Sequence, residues 1–588
     1  MESKTLELRK RCLAKNFDKV HERYEPDYGM LASDVAPFSG GSGGYHTRLH
    51  GHIHKINDTT EHAATIFFLE KEELYPEAIK IFRKVATLQD TRPESKTFGL
   101  WPYFAEEDCD HMIAPDYNMA DFNARYFAYV LKKKRHLIDD ETAEIMTTAL
   151  YRAAQCSIKR NVSPDYTNIS LMSLNTIICA GELCGDEAFF ERGKERLRKV
   201  HKYDTFCGAF SEYNAPEYGP LALEELGRMT DLFEDAECKK LAEELNYIGW
   251  KTLLDHYDTD MCQLAAPNMR CYHRMTGKGM EELIYLGTDG EYGSIDEENI
   301  MRVGYFISPP ICPQELVDKY LKNKPAKPRF IEEVFYKKND IRTPDEDTVI
   351  IRSLDNPDLT AFTYFGDGYN VGAFEIIDTW TQRNSSTVYW GDKDHVTSMR
   401  MICFNDEYEY CSGMVYTNQL NNVLLMHTGF VTDRGDFHYI IDKIKDGKLT
   451  TEKLLYLFHF EGDCDNVKVT QDGGHFTIED KNVKIDLNIR EAYFDGEPME
   501  LRYNADKKRI EAICFEGGKS VDFNEMKNPT YMVLTLAVNE VAGDVNTEVV
   551  DGVVKSSLAV GEKTLTIETP STPLAYEKAI RSVKTSGR

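Results

Sequence analysis

Long hydrophobic runs are missing from this 588-residue chain: charge interrupts every apolar stretch within a few residues, which excludes a membrane-spanning helix. The opening segment, Met1-Glu2-Ser3-Lys4-Thr5-Leu6-Glu7-Leu8-Arg9-Lys10, has no apolar centre and so lacks the signature of a secretory signal. The 14 cysteines form no CxxC pair and no tight repeated spacing, which argues against a disulfide frame and for reduced, mostly buried thiols. These absences set the expectation of a cytoplasmic protein. Basic side chains are in deficit, with 70 Lys and Arg against 98 Asp and Glu and a formal charge of -28. Such a surface repels nucleic acid and anionic membranes, so neither is expected as a partner. It also makes an anionic glycan an awkward ligand unless its site gathers local cations.

What is present points to two or more real cores. The length exceeds what one hydrophobic core usually holds, and the chain is 42% hydrophobic. Tyrosine (33) and phenylalanine (29) are abundant, and tyrosine suits sugar clefts, where its ring stacks on apolar sugar faces while its hydroxyl hydrogen-bonds. From about residue 59 to 320 the apolar residues recur at helical spacing. In Asp139 to Ile158 they fall as Ile145/Met146, Ala149/Leu150 and Ala153/Ala154, with Asp139 or Asp140 placed to cap. Similar patterns run through Glu61–Glu70, Tyr75–Leu88, Asn168–Leu183, Pro220–Leu232 and Ala236–Tyr257. Many antiparallel helices with intervening loops fit an α/α toroid or a large bundle. The charged, proline-bearing Lys322-Asn323-Lys324-Pro325-Ala326-Lys327-Pro328 cannot continue a helix. Beyond it the period becomes two, as in Val483, Ile485, Leu487 and Ile489, and Tyr531–Val538 is a second strand-like run. The expected organisation is a helical toroid over 1–320, a linker over 321–330 and an antiparallel β-sandwich over 331–588.

Three loops concentrate groups that could carry chemistry. Phe210 to Pro220 crowds Glu212, Tyr213, Glu217 and Tyr218 between prolines and glycine, where catalytic groups are often displayed; it could equally pack against the second domain. Arg160 to Asn168 ends on an amide at the start of a probable helix, a common capping position. Pro115 to Asn123 follows Trp101: Asp116 and Asp121 read as an acid/base pair or as a cap plus a solvated charge, Trp101 as a sugar platform or as core. The stretch Tyr45 to His54, with His50, His52 and His54 at alternate positions, invites a metal reading, but no carboxylate or cysteine spacing fixes a geometry. A substrate-binding loop or accidental histidine richness is the better reading there, and neither metal nor cofactor is expected. Gly40 to Gly44 lacks the features of a phosphate loop and is at most a hinge or lid. Trp380-Thr381-Gln382-Arg383, His395 and His438 lie among strands and read individually as structural, though a sandwich folded over the toroid could supply one of them to the cleft.

The order of these elements resembles the heparinase II/III-like and alginate-lyase-like enzymes, which join an α/α toroid to an antiparallel β-sandwich. In that group an Asn or His precedes, by about fifty positions, a loop whose Tyr leads into the next helix; Asn168 and Tyr218 have this spacing. Gly208 to Tyr218 is similar to the family loop G-x-[FY]-x-E-x-x-x-P-x-Y, and Asp394-His395 before a strand is similar to its histidine-bearing sandwich segment. Asn168 is followed by Ile169, where several of those lyases carry an Asn-His pair. The resemblance implies β-elimination beside a uronate. Asn168 would neutralise the carboxylate and Tyr218 would act as base and then acid, or as acid only, with Tyr213 the alternative if the register is shifted. Arg160, Arg270, His273 and His395 are the candidates for lowering the phenol pKa, and Trp101, Asp116, Asp121 and His50 complete the expected substrate contacts. The runner-up is glycoside hydrolysis by two of Asp116, Asp121, Glu212 and Glu217. A non-catalytic sugar-binding protein is the third reading. An anionic oligosaccharide is the expected ligand.

Overall fold

The computed structural model describes residues 4–37, 46–337, 340–342, 349–351, 357–437 and 447–588. Gly40 to Gly44, Tyr45 and His438 fall outside the described residues.

Among the described residues nine helices of 13 or more residues precede the sandwich: α1 (Lys4–His21), α2 (Ile56–Leu69), α3 (Tyr75–Thr87), α4 (Asn118–Lys133), α5 (Asp140–Arg160), α6 (Thr167–Cys184), α7 (Glu187–Cys207), α8 (Tyr218–Leu232) and α9 (Ala236–His256). Their ends are written in the sequence. The side chains of Asp139, Asp186 and Asp235 accept the backbone N–H groups of Thr142, Phe189 and Cys238 at three helix starts. Asn161, Gly185 and Gly208 take left-handed backbone at three ends. Helices α2, α4, α6 and α8 lie side by side as an inner layer, with α3 beside α5 and α7 beside α9 outside them. This is an α/α toroid built of helical hairpins. The inner position of α6 explains its composition: Thr167 through Gly181 are all buried, so it has no polar face to show. No helix among the described residues is long and apolar enough to cross a membrane.

The strands of the sandwich begin at Arg329–Tyr336 and form, among the described residues, two large antiparallel sheets of nine and eight strands. They enclose a core that includes Val371, Met401, Tyr456, Leu487 and Leu534. A helical toroid followed by an antiparallel sandwich is thus the architecture of the chain. The sandwich has one layer more than the sequence reading foresaw. A four-stranded sheet (Val545–Val550, Val553–Val560, Lys563–Pro570, Lys584–Ser586) covers the outer face of the eight-stranded one, joining Leu558, Leu565 and Ile567 to Met414, Tyr416 and Leu425. Tyr531–Val538 is buried at every position for that reason.

The two halves are stitched together where the helices face the sandwich. Asn268–Met269 pairs with Arg383–Asn384 of the sandwich half as a two-stranded ribbon. Met269 N–H donates to Tyr213 O, Cys271 N–H to Gln382 O, and the Thr363 hydroxyl to Ala266 O. Gly372 makes the last approach possible, since a Cβ there would sit 1.9 Å from Ala266 O. Ala209 and Tyr213, from the loop before α8, belong to the core of the sandwich.

Candidate active site

The loops before α6 and α8, the segment after α9 and the sandwich loop around Trp380 meet at one cleft of about 840 Å³. Arg160, Tyr166, Glu212, Arg270, Trp380, Arg383 and Arg434 are among the side chains lining it. Four arginines therefore face a space whose lining carboxylates are Asp165, Glu212 and Glu577. Arg383 and Arg434 share the buried carboxylate of Asp378, so the cations and carboxylates around the cleft are close to balance even though the chain as a whole is strongly acidic.

Arg270 is the hub. Its backbone is left-handed (φ +55°), a costly conformation for a long side chain that the surrounding structure enforces. Its Nε donates to Glu212 Oε1 (3.1 Å) and its Nη1 to Gln382 Oε1 (2.6 Å). Its guanidinium carbon lies 4.4 Å from the ring centre of Tyr218, 5.4 Å from Tyr166 and 5.7 Å from Trp380. Gln382 Nε2 donates to Tyr272 Oη (2.7 Å), and Tyr218 Oη donates to the same oxygen (3.2 Å). Arg270, Gln382, Tyr272 and Tyr218 thus close a ring of contacts. Nη2 of Arg270 makes no hydrogen bond among the described residues.

Glu212 and Asn168 stand behind this ring. The carboxylate of Glu212 accepts the Asn168 backbone N–H (2.8 Å) at the positive start of α6, and the Asn168 amide nitrogen lies 2.8 and 2.7 Å from its two oxygens. Burial raises the Glu212 carboxyl, while Arg270 and Asn168 pull it down. Burial likewise raises the Tyr218 phenol, with Arg270 opposing and Tyr272 adding to the rise. On Arg270 burial works downward, but Glu212 and the tyrosines Tyr218, Tyr166 and Tyr272 lift it on balance, so it stays charged.

The expected candidates separate into those brought together here and those sent elsewhere. Asn168, Glu212, Tyr218 and Arg270 meet. Asn168, though, is wholly buried with its amide hydrogens directed at Glu212, so neither direct contact with a substrate carboxylate nor helix capping by its side chain describes it. Arg160 reaches the cleft, donating from Nη1 to Asn118 Oδ1. His273 is 83% exposed beside Tyr272, with its N–H and Nδ1 at Glu217 Oε1.

Tyr213 cannot substitute for Tyr218. Its ring is packed on Phe335 and Phe374 in the sandwich core, and its hydroxyl is 2.9 Å from both His256 Nε2 and Glu333 Oε2. Trp101 is not a sugar platform: it has no exposed surface, and its Nε1 donates to Val85 O. Asp116 accepts from Tyr103 Oη and Asn118 N–H, whereas Asp121 is sealed inside the toroid against Ser157 Oγ, so the two cannot flank one bond. His395 is exposed at the start of its strand beside Asp392, and His50 turns to Arg48 O; neither lines the cleft. In the histidine stretch, His52 and His54 have both ring nitrogens on carboxylates, His52 on Asp34 and Glu25, His54 on Glu106 and Glu25.

Burial lifts the Asp121 carboxyl from 3.8 to about 6. A raised folded-state pKa contributes stability that is complete below the unfolded value and is lost as pH rises through about 6. Asparagine keeps an acceptor for Ser157 and removes the charge. Asp121→Asn is therefore expected to raise the melting temperature at about pH 8 and to leave it nearly unchanged near pH 4, as calorimetry at both values would reveal.

A family model described as a domain of unknown function (DUF8769) matches residues 42–282, within the helical half. No curated protein matches the chain in sequence. Among solved structures the chain is similar to heparinase III, at 11% identity over 95% of this chain and 91% of that one, with a TM-score of 0.44. It is also similar to a mutant of the heparan sulfate lyase HepC from Pedobacter heparinus, at 9% identity, 95% and 94% coverage and a TM-score of 0.33.

Tyr272 and Gln382 are the members of the ring that sequence reasoning missed as site residues. A signal existed for the first: Arg270-Cys271-Tyr272-His273-Arg274 is dense in polar and aromatic groups outside any helical pattern. Gln382 lies in the segment Trp380-Thr381-Gln382-Arg383 named above, but its own role had no local signal, because its place depends on a pairing across 110 residues.

Proposed function

We propose that the cleft binds an acidic saccharide and cleaves it by β-elimination beside a uronate. The observation that carries this reading is the seat of Arg270: its side chain lines the cleft, is fixed by Glu212 and Gln382 and stacked on Tyr218, and its Nη2 makes no hydrogen bond among the described residues. In this reading Nη2 of Arg270 takes the uronate carboxylate, with Arg383 and Arg434 adding positive potential. Neutralising that carboxylate acidifies the neighbouring C5–H and stabilises the enolate-like charge as it develops. Tyr218, on the face of the same guanidinium, carries the proton. The C5–H bond and the C4–O bond break, a C4–C5 double bond forms, and the proton ends on the leaving oxygen. Asn168 acts through Glu212, holding the carboxylate that aims Arg270; both are positioning residues. Trp380 and Tyr166 supply ring faces for the sugar.

Hydrolysis fits the cleft less well. It needs two carboxyl groups across the scissile bond. Of those lining the cleft, Glu212 is committed to Arg270 and Asn168, while Asp165 and Glu577 are exposed. The decisive experiment incubates the protein with uronate-containing oligosaccharides and follows ultraviolet absorbance beside reducing ends. Elimination makes the two rise together, mole for mole. Reducing ends without absorbance would establish hydrolysis instead, and tight binding without either would make this a sugar-binding protein. A cytoplasmic enzyme would meet imported fragments, so short oligosaccharides cut from one end form the first panel.

A further inference from the structure

Far from the cleft along the chain, three helices bring His21, His62 and Glu77 to one point. His21 ends α1, His62 is in the middle of α2 and Glu77 is in the first turn of α3. His21 Nδ1 lies 3.2 Å from His62 Nε2, and Glu77 Oε1 lies 3.5 Å from the first and 3.9 Å from the second. A triangle with these sides has its centre about 2.1 Å from every corner, which is the length of a zinc bond to an imidazole nitrogen or a carboxylate oxygen.

The surroundings are those of a prepared site. The His62 side chain is 1% exposed and that of Glu77 18%, yet Glu77 Oε1, itself shut off from solvent, accepts no hydrogen bond. A carboxylate oxygen buried without a donor is costly, and a cation would be its missing partner. Both imidazoles are held by stacking on Phe17, with ring centres 5.2 and 4.7 Å away, and His21 also stacks on Tyr24. The His21 side chain is 32% exposed, which leaves a side from which water can supply a fourth ligand. Two imidazoles and one carboxylate are too few oxygens for calcium or magnesium and suit a borderline d-block ion.

We propose that His21, His62 and Glu77 form a zinc site that ties the end of α1 and the start of α3 to the middle of α2. The site was invisible to a search for local spacing, because its ligands come from three separate helices.

The test uses the full chain, stripped with a chelator and titrated with zinc in competition with a chromophoric chelator, and in parallel with cobalt(II). The expected result is one zinc per chain and the intense visible bands of four-coordinate cobalt. His21→Ala and Glu77→Gln, both at partly exposed positions, should each weaken zinc binding at least roughly tenfold, the lower end of what outer partners alone contribute. His62→Ala is the weaker test, since its buried ring also packs, so circular dichroism must accompany it. A wild-type chain that takes no zinc from the competitor would overturn the proposal. So would variants that bind as tightly as the wild type, or a pale six-coordinate cobalt spectrum.

Discussion

Arg270→Met is expected to lower kcat/KM on a uronate substrate by about 10²–10³, the loss typical of removing one preorganised donor from a developing anion. Three functions leave together: the donor to the substrate carboxylate, the cation on the face of Tyr218 and the partner of Glu212. Arg270→Lys should do almost as badly. An ammonium can meet Glu212 but cannot also reach Gln382, lie flat on a phenol ring and keep a nitrogen for the ligand. The fold should survive either change. Losing a buried partner commonly costs about 3–5 kcal/mol when the remaining charge is stranded, but the Glu212 carboxyl is already raised by burial and can take up a proton instead. Steady-state kinetics with a thermal melt separates these effects. A lysine variant with wild-type kcat/KM would remove Arg270 from the chemistry.

Tyr218→Phe isolates the proton carrier. Its hydroxyl makes a single hydrogen bond among the described residues, to Tyr272, so the variant should fold and melt close to the wild type. Turnover should fall by about 10²–10⁴, the range for losing a positioned acid–base group, with KM little changed because the ring remains. The pH profile adds a second readout. Burial raises the phenol against the pull of Arg270, so a carrier that must first shed its proton gives a wild-type kcat that climbs into the alkaline range. The Phe variant should lack that climb. Full activity in Tyr218→Phe would end the elimination mechanism as proposed here.

The helical half was legible because its signals are local. Caps such as Asp139 and stops such as Asn161 and Gly208 sit within a turn of the residues they serve. The alternation of Val483 to Ile489 likewise marks a strand, although of the polar face only Lys484 is exposed, Asn488 being partly covered and Asp486 buried. Legibility fails where burial comes from a distant layer: nothing between Val545 and Pro570 announces that those strands roof the eight-stranded sheet. The site follows the same rule. A loop crowded with Glu212, Tyr213 and Tyr218 was recognisable as chemistry-bearing, but the direction of each side chain was not. Tyr213 is five residues from Tyr218 and points into the sandwich core; Asn168 turns away from the cleft because Glu212 satisfies its amide. Trp101 could be assigned only by seeing both faces of its ring covered. The four arginines that line the cleft come from four separate segments, and no stretch of the sequence is basic enough to show them.

The ribbon of Asn268–Met269 with Arg383–Asn384, and the insertion of Tyr213 among sandwich side chains, bear on how this molecule comes apart. The sandwich borrows part of its interior from the helical half, whereas the main toroid core, from Cys12 to Leu321, is built of helical-half residues alone. Severing the chain near Lys322 would strip Phe335 and Phe374 of a neighbour and leave the Tyr213 phenol without Glu333. Heat should therefore melt toroid and sandwich in one cooperative transition, and a fragment beginning after the linker, deprived of Ala209 and Tyr213, should be a poor folder when expressed by itself.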